Sequence, residues 1–79
     1  MSGILDRIPD GWQLTRIEES NGRWWATVEL TSAQLDQWYK TPVAERFTYE
    51  KMVSAYGSSP EIAIEMVRLA AMNTRKVGA

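Results

Sequence analysis

The sequence predicts an α+β fold, with an antiparallel three-stranded sheet and a C-terminal amphipathic helix packed on one of its faces. Three observations predict it. Asn21-Gly22 joins two runs of alternating side chains, Ser59-Pro60-Glu61 opens a long apolar-rich segment, and an aromatic and β-branched run lies between them. At 79 residues and 9.0 kDa, the chain suffices for one small domain, 1–79, with a core of at most two layers. Residues 1–8 and 75–79 are expected to fray.

The hairpin spans 12–31. Asn-Gly accepts the two positive φ angles of a type I′ turn, whose twist matches that of paired strands. With Asn21-Gly22 as the loop, Ser20 faces Arg23, Ile17 pairs with Ala26, Thr15 with Val28 and Gln13 with Leu30. One face then carries Ile17, Trp24, Ala26, Val28 and Leu30 and is assigned to the core. The other carries Trp12, Leu14, Arg16, Glu18, Trp25, Thr27 and Glu29 and is assigned to solvent. A slip of one residue would exchange the two faces.

Ser32 is placed to cap a short helix near 33–40 with Leu35, Trp38 and Tyr39 on one side, and Thr41-Pro42 interrupts it. The next stretch fits two templates. Tyr49, Met52, Val53 and Tyr56 match helical spacing, whereas the aromatic and β-branched content and the Gly57-Ser58 ending suit a strand. A strand at about 48–56 is the reading taken, because a bare two-stranded hairpin is marginal. The last helix, 60–74, starts on Ser59 as N-cap, Pro60 at the first helical position and Glu61 in the first turn. Its charged positions, Glu61, Glu65, Arg68, Arg75 and Lys76, form a narrow stripe. The apolar arc is wide enough to predict a well-covered helix.

Composition removes several function classes. With no Cys and no His, the chain offers no disulfide, thiolate, Cys/His zinc site or imidazole acid–base pair. Nine Lys and Arg against ten Asp and Glu give a net charge of −1, too little field to draw it onto nucleic acid or an anionic membrane. No secretory signal or membrane-spanning run is expected, which points to the cytoplasm. Glu18 and Glu19 point to opposite faces of a strand, and Glu61 and Glu65 lie on a solvated stripe beside Arg68. No carboxylate pair, phosphate-cradling glycine loop or activated nucleophile emerges, so neither an enzyme nor a metal or other cofactor is expected.

Trp24-Trp25-Ala26 in the second hairpin strand and Gly57-Ser58-Ser59-Pro60-Glu61-Ile62-Ala63-Ile64 at the strand–helix junction carry a resemblance. They resemble the small β-β-β-α proteins of bacteriophages and prophages called phage sandwich domains, which are similar to the N-terminal domain of HicB-type antitoxins. The similar parts cover 12–31 and 53–72, and a Trp- and Tyr-rich insertion, 32–46, separates them. The resemblance implies a phage-encoded protein in the host cytoplasm that inhibits a host defence complex by stoichiometric binding, as anti-CRISPR proteins do. The alternative it implies is an antitoxin-like or regulatory domain that binds a toxin or nucleic acid.

Four Trp, three Tyr and one Phe are more aromatic side chains than so small a core needs. Trp24, Phe47 and one or more Tyr are assigned to the core. The surplus, Trp12, Trp25, Trp38 and Tyr39, together with Leu14 and Arg16, forms the expected partner-binding set, because Trp and Tyr are enriched in protein interfaces. The competing reading packs Trp12, Trp25 and Trp38 beneath the insertion. A homodimer through this face would satisfy the same observation. Arg16 and Arg23 beside Trp12 and Trp25 could imitate a base-stacking platform, but Glu18 and Glu29 on that face would repel phosphate.

Overall fold

The structure is a computed structural model and describes residues 8–74 and Val77. Its elements are β1 (Trp12–Ser20), β2 (Arg23–Leu30), α1 (Ser32–Lys40), α2 (Val43–Arg46), β3 (Met52–Gly57) and α3 (Pro60–Met72). The three strands form one antiparallel sheet in the order β1-β2-β3, and α3 packs on β3 and β2. The expected α+β fold is therefore observed. Among the described residues no helix is long and apolar enough to cross a membrane. Of the ends expected to fray, 1–7, 75–76 and 78–79 lie outside the described residues, as do Arg75 and Lys76 of the expected charged stripe. Ile8 packs against the core, and Val77 is buried.

The turn forms as the Asn-Gly pair dictates, with φ 54° at Asn21 and 78° at Gly22. From it the ladder runs Ser20–Arg23, Glu19–Trp24, Glu18–Trp25, Ile17–Ala26 and Arg16–Thr27. Then the register shifts. Leu14, not Thr15, faces Val28, and Trp12 faces Leu30. Thr15 is the extra residue of a β-bulge, and its hydroxyl donates to the Thr27 carbonyl at 3.4 Å. Because side chains alternate with period two, one extra residue turns Trp12 and Leu14 onto the opposite face from the one expected. Trp12 belongs to the core and Leu14 packs against it.

That core comprises Trp12, Ala26, Val28 and Leu30 from the sheet and Ala63, Ile64, Val67 and Ala71 from α3. Small residues at 26, 63 and 71 let helix and sheet approach closely. Gly57 makes the closest approach, since a Cβ there would lie 2.5 Å from Ile62 Cγ2 and 2.8 Å from the Ala63 nitrogen. Leu35 and Trp38 of α1, with Trp24, Val53 and Ala55, pack against the cluster. Phe47, expected in the core, is 81% exposed. It follows the four-residue α2 directly and belongs to neither layer.

The third strand exists but begins at Met52 rather than near 48. The Thr48 and Tyr49 amides donate to the carbonyls of Glu45 and Arg46 at 3.0 and 3.1 Å, extending the α2 turn with groups that a strand would pair. The α1 cap position is Thr31, one residue before the expected Ser32, and its side chain makes no capping bond. At α3 the expected cap forms, with Ser59 Oγ accepting from the Ile62 amide at 3.2 Å. Glu65 Oε1 accepts from Arg68 Nε at 3.0 Å, and this carboxylate raises the arginine above its ordinary pKa. The helix is less covered than expected. Ile62, Met66 and Leu69 remain 43%, 46% and 41% exposed, because the apolar arc is wider than a three-stranded sheet can shield.

Candidate functional site

The bulge leaves the sheet face opposite α3 with one tryptophan instead of two. On β2 that face presents Arg23, Trp25, Thr27 and Glu29. Their cross-strand partners on β3 are Tyr56 for Trp25, Ser54 for Thr27 and Met52 for Glu29. On β1 the matching positions are Glu18 and Arg16. Trp25 and Tyr56 touch across the ladder with ring centroids 5.0 Å apart and planes tilted 41°. The Arg23 guanidinium stands over the Tyr56 ring, 5.0 Å from its centroid. Beside them Thr27 Oγ1 and Ser54 Oγ are hydrogen-bonded at 2.9 Å.

A shallow depression of about 350 Å³ follows this face, bounded by Trp25, Thr15, Arg16, Glu18, Thr27, Glu29, Met52 and Ser54. No residue of 32–46 lines it. The insertion packs Leu35 and Trp38 toward the α3 side instead. Two cations, Arg16 and Arg23, meet two carboxylates, Glu18 and Glu29, on the face. Arg16 and Glu18 approach to 3.6 Å with more than half of each side chain in water, a pair worth ~0–1 kcal/mol.

Of the expected partner-binding set, the structure keeps Trp25 and Arg16 together. It moves Trp12, 6% exposed, into the core and Leu14 against it, which corrects their expected position. Trp38 and Tyr39 form a separate cluster, where they meet edge to face at 5.1 Å. Arg46 and Lys51 cover the Trp38 ring at 4.8 and 4.6 Å. Arg46 also donates to the carbonyls of Tyr39 and Thr41 at 2.7 and 3.0 Å, and Trp38 Nε1 to the Tyr49 carbonyl at 3.4 Å. These bonds tie the insertion to itself. The competing reading put all three beneath the insertion: Trp38, itself in the insertion, packs against the core cluster, Trp12 is buried with sheet and α3 residues, and Trp25 lies on the open face.

Tyr56 was absent from the expected set, yet it is the direct neighbour of Trp25. Its parity was readable. A glycine at the junction with α3 puts Gly57 on the helix side, and therefore Tyr56 on the other. Arg46 and Lys51 carry no local signal, because only the fold of the insertion brings them over Trp38. Comparison with protein-family models, curated proteins and solved structures finds no match.

Proposed function

We propose that this protein is a non-catalytic binding module that engages a protein partner stoichiometrically through the open sheet face. One observation carries the reading: the Trp25–Tyr56 pair at the centre of a face with no second layer over it among the described residues. Uncovered aromatic surface with a polar rim has the make-up of an interface, an apolar centre surrounded by groups that stay solvated. The balanced charges of Arg16, Arg23, Glu18 and Glu29 favour a protein surface over a phosphate backbone. Small size, the Trp24-Trp25-Ala26 strand and the Gly57-to-Ile64 junction support the more specific reading, a phage-encoded inhibitor of a host defence complex that works in the host cytoplasm.

The test is affinity capture from a host lysate with the wild-type chain and with Trp25→Ala, followed by a dissociation constant for the captured protein. Trp25→Ala should weaken binding at least ~30-fold, the ~2 kcal/mol of an interface hot spot. Equal binding by both would overturn the open face as the site. Capture of a small toxin encoded beside this gene would instead place the chain with antitoxin-like domains.

A further inference from the structure

The two edges of the sheet are built differently, and the difference concerns the backbone of β3, which borders the proposed partner face. Edge strand β1 carries the bulge at Thr15 and the charges Arg16, Glu18 and Glu19. These are the devices that keep an edge from pairing with another strand. Edge strand β3, Met-Val-Ser-Ala-Tyr-Gly, has no charge and no proline, and its ladder with β2 runs without a bulge. The Leu30 amide donates to the Lys51 carbonyl at 3.0 Å, which makes Leu30–Lys51 a hydrogen-bonded pair. Antiparallel pairs alternate, so Val53, Ala55 and Gly57 bond to β2. Met52, Ser54 and Tyr56 therefore aim their N–H and C=O groups away from the sheet.

The helix layer beside this edge is apolar too. Met66 shares a groove of about 520 Å³ with Trp25, Ser54, Ala55 and Tyr56, which puts the half-exposed stripe Ile62, Met66 and Leu69 on the β3 side of α3. By its 100° step Glu61 and Arg68 fall on the flank away from that stripe, and Glu65 borders Leu69, about 40° from it, where it pairs with Arg68.

We infer that this edge pairs with the same edge of a second copy, joining two sheets into one of six strands with the two α3 helices antiparallel on one face. Charge argues for the second copy. A two-fold axis sets each residue near its own duplicate, so a charged edge would repel itself, and the β3 edge with its flanking stripe carries none. Geometry agrees. Pairing centred on Ser54 forms about six backbone hydrogen bonds, two for each outward pair. Because α3 lies over β3 and next over β2, an axis half a strand spacing outside β3 brings the helices ~10 Å apart, the usual packing distance. The strand and the helix are each ~20 Å long. That footprint belongs to the small end of specific interfaces, below ~1,200 Å² in total, so association should be concentration-dependent in the micromolar range.

Sedimentation velocity from about 5 μM to 1 mM, with hydrogen exchange at both ends of the series, tests this. The wild-type chain should shift from its 9.0 kDa mass to twice that value, and the Ser54 and Tyr56 amides should gain at least ~10-fold protection with concentration. Met66→Glu, at an exposed position, should keep the fold by circular dichroism and sediment as a monomer throughout. Ser54→Pro, which removes an outward amide, should do the same, and Met66→Glu decides the matter if the proline variant unfolds. Arg16→Ala, on the opposite edge strand, should still dimerise. A wild-type chain that stays monomeric at 1 mM would overturn the inference. So would a dimer whose Ser54 and Tyr56 amides exchange freely, or one lost in Arg16→Ala but kept in Met66→Glu.

Discussion

Trp12, Trp24 and Trp25 lie in three different environments. Trp12 is buried at 6% exposure, Trp24 is half-buried against the core, and Trp25 is half-buried on the uncovered face. Thermal melts of the three alanine variants should follow that order. Trp12→Ala should cost ~3–5 kcal/mol, as full removal of a buried aromatic does. Trp25→Ala should cost at most ~1–2 kcal/mol, an ordinary value for single substitutions, with Trp24→Ala between them. A Trp25→Ala loss equal to that of Trp12→Ala would mean that the open face is covered. Gly57→Ala is a second residue-scale prediction. The added methyl would meet the Ala63 nitrogen at 2.8 Å, and that backbone atom cannot swing aside. Overpacking of this kind costs ~1–3 kcal/mol, read as a lowered urea midpoint; an unchanged midpoint would show that β3 and α3 can separate at no cost.

At the scale of elements, strong local signals were legible and weak ones were not. Asn21-Gly22 carries its turn in two residues, and Ser59-Pro60 carries its helix start in two more. Ser59→Ala removes the acceptor for the Ile62 amide and should cost ~1 kcal/mol. A melt identical to wild type would show that water replaces the cap. The bulge was harder to read because Thr15 is an ordinary strand residue. Its trace lies in spacing: the apolar positions 12, 14 and 17 share one face only if a residue between 14 and 17 is left out of the count. Strict alternation from the turn loses that trace and sends Trp12 and Leu14 to the wrong side. The start of β3 was blurred for a different reason. Thr48 and Tyr49 suit a strand by type, but α2 claims their amides, and so short a helix announces itself weakly.

For the molecule as a whole, the sheet separates a face packed on α3 from a face left open among the described residues. A partner held through Trp25 and Tyr56, amid two cations and two carboxylates, should bind with little dependence on salt. Affinity should change less than ~3-fold between 50 and 500 mM, whereas phosphate contacts would lose orders of magnitude. A steep slope in a salt titration would turn the assignment toward nucleic acid. The bulge also bears on how the chain tolerates lost sequence. Strand interiors rarely survive a deletion, because every residue beyond the gap changes sides. Thr15 reverses that rule: without it, Arg16–Thr27 is followed directly by Leu14–Val28, Gln13–Glu29 and Trp12–Leu30, the pairs that already exist. A chain lacking Thr15 should therefore fold with Trp12 still buried, visible as an unchanged blue-shifted tryptophan emission, whereas deletion of Gln13, beyond the bulge, should turn Trp12 to the open face and red-shift that emission. What that shortened chain would lose is the kink in β1, and with it the backbone irregularity that keeps this edge from becoming as straight and as available as that of β3.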